Sequence, residues 1–246
     1  MKKIALITGS KGGIGSAISS QLVKDGYRVI ATHSAGSQES AQEWFDANDF
    51  NTDQVRLFEL DVKDTDQCSE RLCGLLEEEG TIDVVINNAG ITRDGTFKKM
   101  SASDWKEVID TNLNSLFNVT QPLFGHMCEK GAGRIVNISS VNGLKGQFGQ
   151  TNYSAAKAGM IGFSKALAAE GAKSGVTVNV VAPGYTATPM VSAMNTEVLE
   201  SIKAQIPMKR LATPEEIAMS VSYLLSDAGA YITGETLSVN GGLYMH

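Results

Sequence analysis

The chain has 246 residues, 42% of them apolar and 20% charged, enough for one large α/β domain around a buried core and short for two. Its 21 Lys and Arg against 27 Asp and Glu leave a formal charge of −6. That balance disfavours nonspecific binding to nucleic acid or to an anionic membrane, since both need a basic face.

In chain order, Lys2 and Lys3 precede an apolar run that stops at Thr8-Gly9, too short for the core of a secretion signal. No stretch approaches the ~20 apolar residues of a membrane span. Short β-branched runs at 3–8, 28–31, 55–60, 84–87, 133–139, 176–182 and 236–240 read as strands. Helix-length amphipathic stretches at 13–25, 37–48, 65–79, 103–129, 152–173 and 214–226 alternate with them. Such alternation predicts βαβ units: a doubly wound, Rossmann-type parallel sheet of seven strands with helices on both faces. No linker interrupts residues 1–246, so one domain is expected.

The last helix opens on Thr213 as cap, Pro214 in the first turn and Glu216 completing a capping box. Gly171 falls near the end of the 152–173 helix and reads as a fraying terminus. The segment 190–211 mixes Met190, Val191, Met194, Leu199 and Ile202 with polar residues between a strand and a helix. It reads as a helical substrate lid over the carboxyl edge of the sheet, with an ordinary packing helix as the alternative. Cys68, Cys73 and Cys128 lack metal-type spacing and read as reduced thiols of a cytoplasmic protein. His33, His126 and His246 are scattered, so no metal site is expected.

Gly9, Gly13 and Gly15, with Ser10, Lys11 and Ile14 between them, follow the first strand and open the first helix. Glycines there let the backbone approach a diphosphate, and the helix N-terminus offers N–H groups and positive potential. Spaced Gly-x3-Gly-x-Gly, they depart from the more familiar Gly-x-Gly-x2-Gly. An acidic residue closing the second strand would select NAD. Here Thr32, His33 and Ser34 close it, and Lys11 brings an ammonium suited to a 2′-phosphate. NADPH is therefore the expected cofactor. Asp61-Val62 is placed to bound an adenine, and Asn88-Ala89-Gly90 closes the fourth strand with small groups that leave room for a ribose.

Tyr153 and Lys157, four apart on a helix, share a face. A fixed ammonium beside a phenol of ordinary pKa about 10 would pull it down toward the range of useful proton transfer. Ser140 and Asn112 complete an ordered set. Hydride delivery to a ketone builds negative charge on oxygen, which needs a proton donor, Tyr153, and a polarising hydrogen bond, Ser140.

Together, Thr8-Gly9-x3-Gly13-x-Gly15, Asn87-Asn88-Ala89-Gly90, Asn112, Ser140, Tyr153-x3-Lys157 and Pro183-Gly184 resemble the classical short-chain dehydrogenase/reductase family across nearly the whole chain. The resemblance implies that Lys157 also binds the nicotinamide ribose and that Asn112 holds a proton-relaying water. It further implies that Pro183, Gly184, Thr186 and Thr188 border the nicotinamide. Thr186 stands where similar reductases often carry isoleucine.

Ile91-Thr92-Arg93-Asp94, Ser139 to Gly143 and Lys145 to Tyr153 are similar to reductases of 3-oxoacyl thioesters, as is the tail Tyr231 to Leu237 with Asn240-Gly241-Gly242. The likeness implies an (R)-3-hydroxyacyl product and a homotetramer, for which Met160, Ile161 and Phe163 are candidate outward-facing contacts. Asp94, Gln147, Phe148, Gln150 and Tyr185, with Ser140 and Tyr153, are the expected substrate residues. Carrier-protein reductases carry basic residues before the fifth and sixth strands, where this chain has only Lys130, beside Glu129, and Lys173. A small acyl-CoA with a short acyl chain is therefore favoured over an acyl carrier protein, its phosphates meeting Lys203, Lys209 or Arg210. A nucleotide-binding regulator without catalysis is the alternative of a different class.

Overall fold

The computed structural model describes residues 2–192 and 194–245. The Met190 side chain and His246, both named above, lie outside the described residues. Seven parallel strands form one sheet in the order β3-β2-β1-β4-β5-β6-β7. They are β1 (Ile4–Ile7), β2 (Arg28–His33), β3 (Val55–Glu59), β4 (Val84–Asn87), β5 (Gly133–Ile138), β6 (Val176–Pro183) and β7 (Thr236–Val239). The central strands read as unbroken apolar runs because both faces are covered. One face buries Leu6, Ile30, Val85, Ile135 and Val178 under α3 (Thr65–Glu79), α5 (Ser115–Lys130) and α7 (Thr151–Gly171). The other buries Ile7, Val29, Ile86 and Val181 under α1 (Gly13–Lys24), α2 (Gln38–Ala47) and α10 (Pro214–Leu225).

Polar groups cross the first of these faces. Asn87 on β4 lies opposite Asn137 on β5 and donates from Nδ2 to Asn137 Oδ1 at 2.8 Å and to Thr120 Oγ1 of α5 at 3.0 Å. Asn137 Nδ2 in turn donates to Ser164 Oγ of α7 at 2.8 Å. Two strands and the two helices over them are thus keyed together by hydrogen bonds between buried amides and hydroxyls.

Three expectations are corrected. The single helix over 103–129 is two: α4 (Ala102–Ile109), opened by a capping box between Ser101 and Asp104, then a π-helical turn at Asp110–Asn114 that feeds α5. Four of the five residues in Asp-Thr-Asn-Leu-Asn are poor helix formers, and the wider turn seats Asn112 fully inside. Gly171 is no frayed end: a Cβ there would stand 3.1 Å from Val176 Cβ and 3.2 Å from Phe124 Cε2, so its lack of a side chain lets α7 close onto β6 and α5. Met160 is buried and cannot face a partner, whereas Ile161 and Phe163 are half-buried.

A five-residue helix, α6 (Val141–Lys145), joins β5 to α7 and was not expected. Beyond β6, the insertion forms α8 (Pro189–Ser192) and α9 (Thr196–Gln205), then passes through turns at 206–210 and a single bridge at Ala212 to α10.

Candidate active site

Strand order reverses between β1 and β4, and the loops leaving the carboxyl ends of those strands diverge there into a crevice, the usual ligand position in open α/β sheets. Asn88 ties the two loops. Its Nδ2 donates to the carbonyls of Thr8 and Gly9 at 3.0 Å each, while the Asn88 and Ala89 N–H groups donate to Thr8 Oγ1 at 2.9 and 3.0 Å. Gly9 turns at φ +65°, and a Cβ on Gly15 would lie 2.2 Å from the Gly9 carbonyl oxygen, inside any permissible contact. Only glycine at Gly15 lets the loop fold back onto the first turn of α1, leaving its N–H groups to face an anion. The cradle fits a nucleotide diphosphate. Ser10 is buried, its hydroxyl donating to the Ile7 carbonyl at 2.6 Å, and Ile14 packs partly into the core below. Thr188 closes over Gly13, where a Cβ would meet Thr188 Cγ2 at 2.7 Å.

At the end of β2, Thr32 and His33 are buried, and His33 Nδ1 lies 3.2 Å from the Ser34 carbonyl. Ser34 is exposed, joined to Ser37 through their hydroxyls at 3.2 Å, and Lys11 reaches the same patch by donating to Ser40 Oγ at 2.5 Å. Ser37 and Ser40 were missed from sequence because they belong to the start of α2 rather than to the strand end. Asp61 caps its own loop, accepting from the Lys63 N–H at 3.0 Å, and the Val62 carbonyl accepts from Asn118 Nδ2 at 2.9 Å. Pro183 ends β6, and Gly184 lies so close to Asn240 that a Cβ would stand 2.8 Å from the Asn240 Cα. Thr186 is buried and bridges to Ala212, and its hydroxyl donates to the Gly184 carbonyl at 3.2 Å.

Across the crevice stands α7. Fully buried Asn152 fixes its start by donating from Nδ2 to the carbonyls of Arg93 (3.0 Å) and Asp104 (3.2 Å) while Oδ1 accepts from the Tyr153 N–H (2.8 Å). Lys157 is also buried; its Nζ donates to the Ile138 carbonyl at 2.7 Å and sits 5.7 Å from the Tyr153 ring centre. Ser139 holds the backbone of that residue, donating to the Lys157 carbonyl at 2.8 Å. Asn112 clamps Ile91, with Oδ1 accepting from its N–H and Nδ2 donating to its carbonyl, both at 2.8 Å. A Cβ on Gly90 would lie 3.2 Å from Asn112 Oδ1 and 3.5 Å from Lys157 Nζ, so the clamp and the ammonium meet at one point.

The electrostatics differ from the expectation that Lys157 lowers the Tyr153 pKa. Burial pushes the phenol up, with the Asp94 carboxylate adding to the rise; the Ser140 hydroxyl, hydrogen-bonded to it, opposes them. Burial also drives Lys157 down to about 8, so its ammonium persists at neutral pH against its own desolvation. Tyr153 is accordingly a protonated donor at neutral pH.

A half-buried phenol and a buried ammonium on α7, a serine hydroxyl after β5 and a glycine-rich cradle at β1 thus meet at one crevice. Residues 3–199 match the family model described as short chain dehydrogenase. The chain belongs to the short-chain dehydrogenase family. This dehydrogenase is 59% identical over 245 residues to an acetoacetyl-CoA reductase of Acinetobacter sp. (strain RA3849), covering 100% of this chain and 99% of that one. It is 51% identical over 246 residues to an acetoacetyl-CoA reductase of Allochromatium vinosum, covering 100% of both chains. With a 3-oxoacyl-acyl-carrier-protein reductase of Vibrio cholerae it shares 44% identity over 243 residues, 99% of this chain and 98% of the other. It is an oxidoreductase whose crevice takes a nicotinamide cofactor. No group of three or more metal-type ligands occurs among the described residues, and no helix among them is long and apolar enough to cross a membrane.

Among the residues expected to meet substrate, Asp94 Oδ2 accepts from Gln150 Nε2 at 2.9 Å, and the Gly95 N–H donates to the Gly149 carbonyl at 2.8 Å, which joins the loops before α4 and α7. Gln147 accepts from Lys145 Nζ at 2.7 Å. Tyr185 is half-buried, but Phe148 is 86% exposed and packs against no core. Each of the three cations suggested for CoA phosphates has a partner within the chain. Lys203 pairs with Glu200 at 2.8 Å, and Lys209 donates to the Ala204 carbonyl at 2.7 Å. Arg210 grips Glu216 bidentately at 2.7 and 2.6 Å, holding that carboxyl down to about 2.

Proposed function

We propose that this dehydrogenase uses NADPH to reduce a short 3-oxoacyl-CoA, acetoacetyl-CoA, to (R)-3-hydroxybutyryl-CoA, a hydroxyacyl unit suited to polyhydroxybutyrate synthesis. The observation that carries the chemistry is half-buried Tyr153 and buried Lys157 together beside Ser140, with the phenol kept protonated. Full-length similarity to the two acetoacetyl-CoA reductases above supports the substrate.

The bound nicotinamide supplies a hydride. Ser140 Oγ accepts the Asn142 N–H at 3.1 Å, which holds its hydroxyl beside Tyr153, where it would polarise the substrate carbonyl. Tyr153 gives its proton to the oxygen as charge grows there. Lys157 and Asn112 hold the proton path behind the phenol, and Lys157 takes the ribose hydroxyls. Gly9, Gly13 and Gly15 take the diphosphate; Asp61, Val62, Ala89 and Gly90 border the adenosine; Pro183, Gly184, Thr186 and Thr188 border the carboxamide. Lys11 and Ser34, with Ser37 and Ser40, take the 2′-phosphate that distinguishes NADPH.

Residues 190–211 act as a substrate lid on the single domain, and the protein works as a cytoplasmic homotetramer through faces that expose Trp105 of α4 and Phe117 of α5. The basic patch required by an acyl carrier protein is thinner than the sequence suggests. Lys130 is drawn to Asp83 and Thr81 at 2.5 and 2.6 Å, and Arg134 turns to the carbonyls of Gly133 and Gly175.

The test is NADPH oxidation, followed by absorbance, with acetoacetyl-CoA and acetoacetyl-acyl carrier protein at matched concentrations. Preference for the CoA ester is expected. Preference for the carrier protein would transfer the chain to fatty-acid elongation, and turnover of neither would leave a binding protein.

A further inference from the structure

Ser140 caps α6, and the second residue of that helix, Asn142, reaches away from the catalytic hydroxyl. Its side-chain Nδ2 lies 2.9 Å from Gln150 Oε1, and Gln150 Nε2 lies 2.9 Å from Asp94 Oδ2. The direction of this chain is dictated by chemistry. A carboxylate only accepts, so Gln150 must turn its amide nitrogen to Asp94; its oxygen then faces Asn142, which must donate. Asn142 Oδ1 is left buried with no hydrogen-bond partner among the described residues. An unpaired buried acceptor costs roughly 1–3 kcal/mol, and a valine would avoid it. An asparagine kept there at that expense is a mark of function rather than of stability.

The same residue thus touches Ser140 through its backbone and Gln150 through its side chain, and Gln150 in turn holds Asp94; both are proposed to meet the substrate. We infer that Asn142 is a positioning residue that locks the Gln150 amide and the Asp94 loop in register with Ser140, setting how the 3-oxoacyl thioester is held. The inference rests on the reductase activity proposed above. Without the Asn142 donor, Gln150 is free to rotate about its side-chain bonds, and Asp94 loses the partner that fixes it. The backbone N–H to Ser140 survives any substitution at Asn142, so the loss falls on binding rather than on proton transfer.

The chain can also run in reverse. Asn142→Asp replaces the donor with an acceptor, so Gln150 must flip and present its oxygen to the Asp94 carboxylate, which repels it. Adding Asp94→Asn supplies a donor at that end, restores all the hydrogen bonds with opposite polarity and leaves the total charge of the pair unchanged.

The experiment measures KM and kcat for acetoacetyl-CoA in the intact protein with NADPH, for wild type, Asn142→Val, Asn142→Asp, Asp94→Asn and the Asn142→Asp/Asp94→Asn pair. Melting temperature and NADPH affinity by fluorescence are read alongside. Asn142→Val is expected to raise KM roughly five- to tenfold, the worth of about one hydrogen bond, with kcat within twofold and a melting temperature equal to or above wild type. Asn142→Asp is expected to raise KM at least as far, and the double variant to return it to within about threefold of wild type. An unchanged KM in Asn142→Val, or a double variant no better than the worse single, overturns the inference. Absence of turnover in wild type instead refutes the proposed activity, and the two failures are thereby separate.

Discussion

Lys157→Met should make this protein more stable while abolishing catalysis. The side chain is fully sequestered, and burial moves its ammonium from 10.5 to about 8. A shift of that size, at about 1.4 kcal/mol per pH unit, penalises the folded state by about 3 kcal/mol wherever both folded and unfolded forms are protonated. Because the folded pKa is depressed, the unfolded chain binds more protons between pH 8 and 10.5, and wild-type stability from this group rises with pH across that window. The penalty is complete below about pH 8 and fades above it. Methionine has a similar length and no charge, but it forfeits the bond from Nζ to the Ile138 carbonyl, a loss of about 1 kcal/mol. The net gain at pH 7 is therefore about 2 kcal/mol, shrinking to near zero at pH 9.5 as about 2 kcal/mol of the penalty is relieved. Urea unfolding of both proteins at pH 7 and 9.5, at equal protomer concentration and without cofactor, measures this. A variant less stable than wild type at pH 7, or an advantage that does not shrink with pH, would refute the account of Lys157 as a buried ammonium held against its own solvation.

Gly15→Ala should lower nucleotide affinity at least tenfold in fluorescence titration and lower the melting temperature, because its Cβ would lie 2.2 Å from the Gly9 oxygen. Asn112→Ala removes both bonds to Ile91 and should cost about 2–3 kcal/mol in urea unfolding, with kcat falling more than KM as the proton path loosens. Lys11→Glu should raise KM for NADPH ten- to a hundredfold and leave KM for NADH within threefold, as steady-state kinetics with each cofactor will show. Tyr153→Phe should bind nucleotide as wild type does and lose at least a thousandfold in kcat.

Much of the fold was legible because the strands are β-branched runs and because a strictly alternating chain admits few topologies. The crevice could be located because ordered spacing from Gly9 to Gly184 fixes which strand ends carry chemistry. What escaped has physical causes. A π-turn leaves no periodic trace of its own, although Asp110 to Asn114 betrays it by poor helix propensity. Helix α6 is too short for an amphipathic pattern, so Asn142 was read as part of a motif rather than as a link. The direction of the Tyr153 pKa depends on how much surface the fold removes, which spacing between Tyr153 and Lys157 does not encode. Arg210 and Lys203 were taken for free cations because their carboxylate partners, Glu216 and Glu200, are revealed only by side-chain geometry.

The amides that cross the sheet, Asn87 to Asn137 to Ser164, work as a key cut for one lock. A one-residue slip of β4 against β5 would turn Asn87 toward the opposite face and strand the groups it pairs, Asn137 Oδ1 and Thr120 Oγ1. A folding chain therefore cannot settle this pair of strands out of step at low cost. Since α7 carries Tyr153 and Lys157, the same proofreading that sets the sheet delivers the phenol and the ammonium to their places, long before any nucleotide arrives.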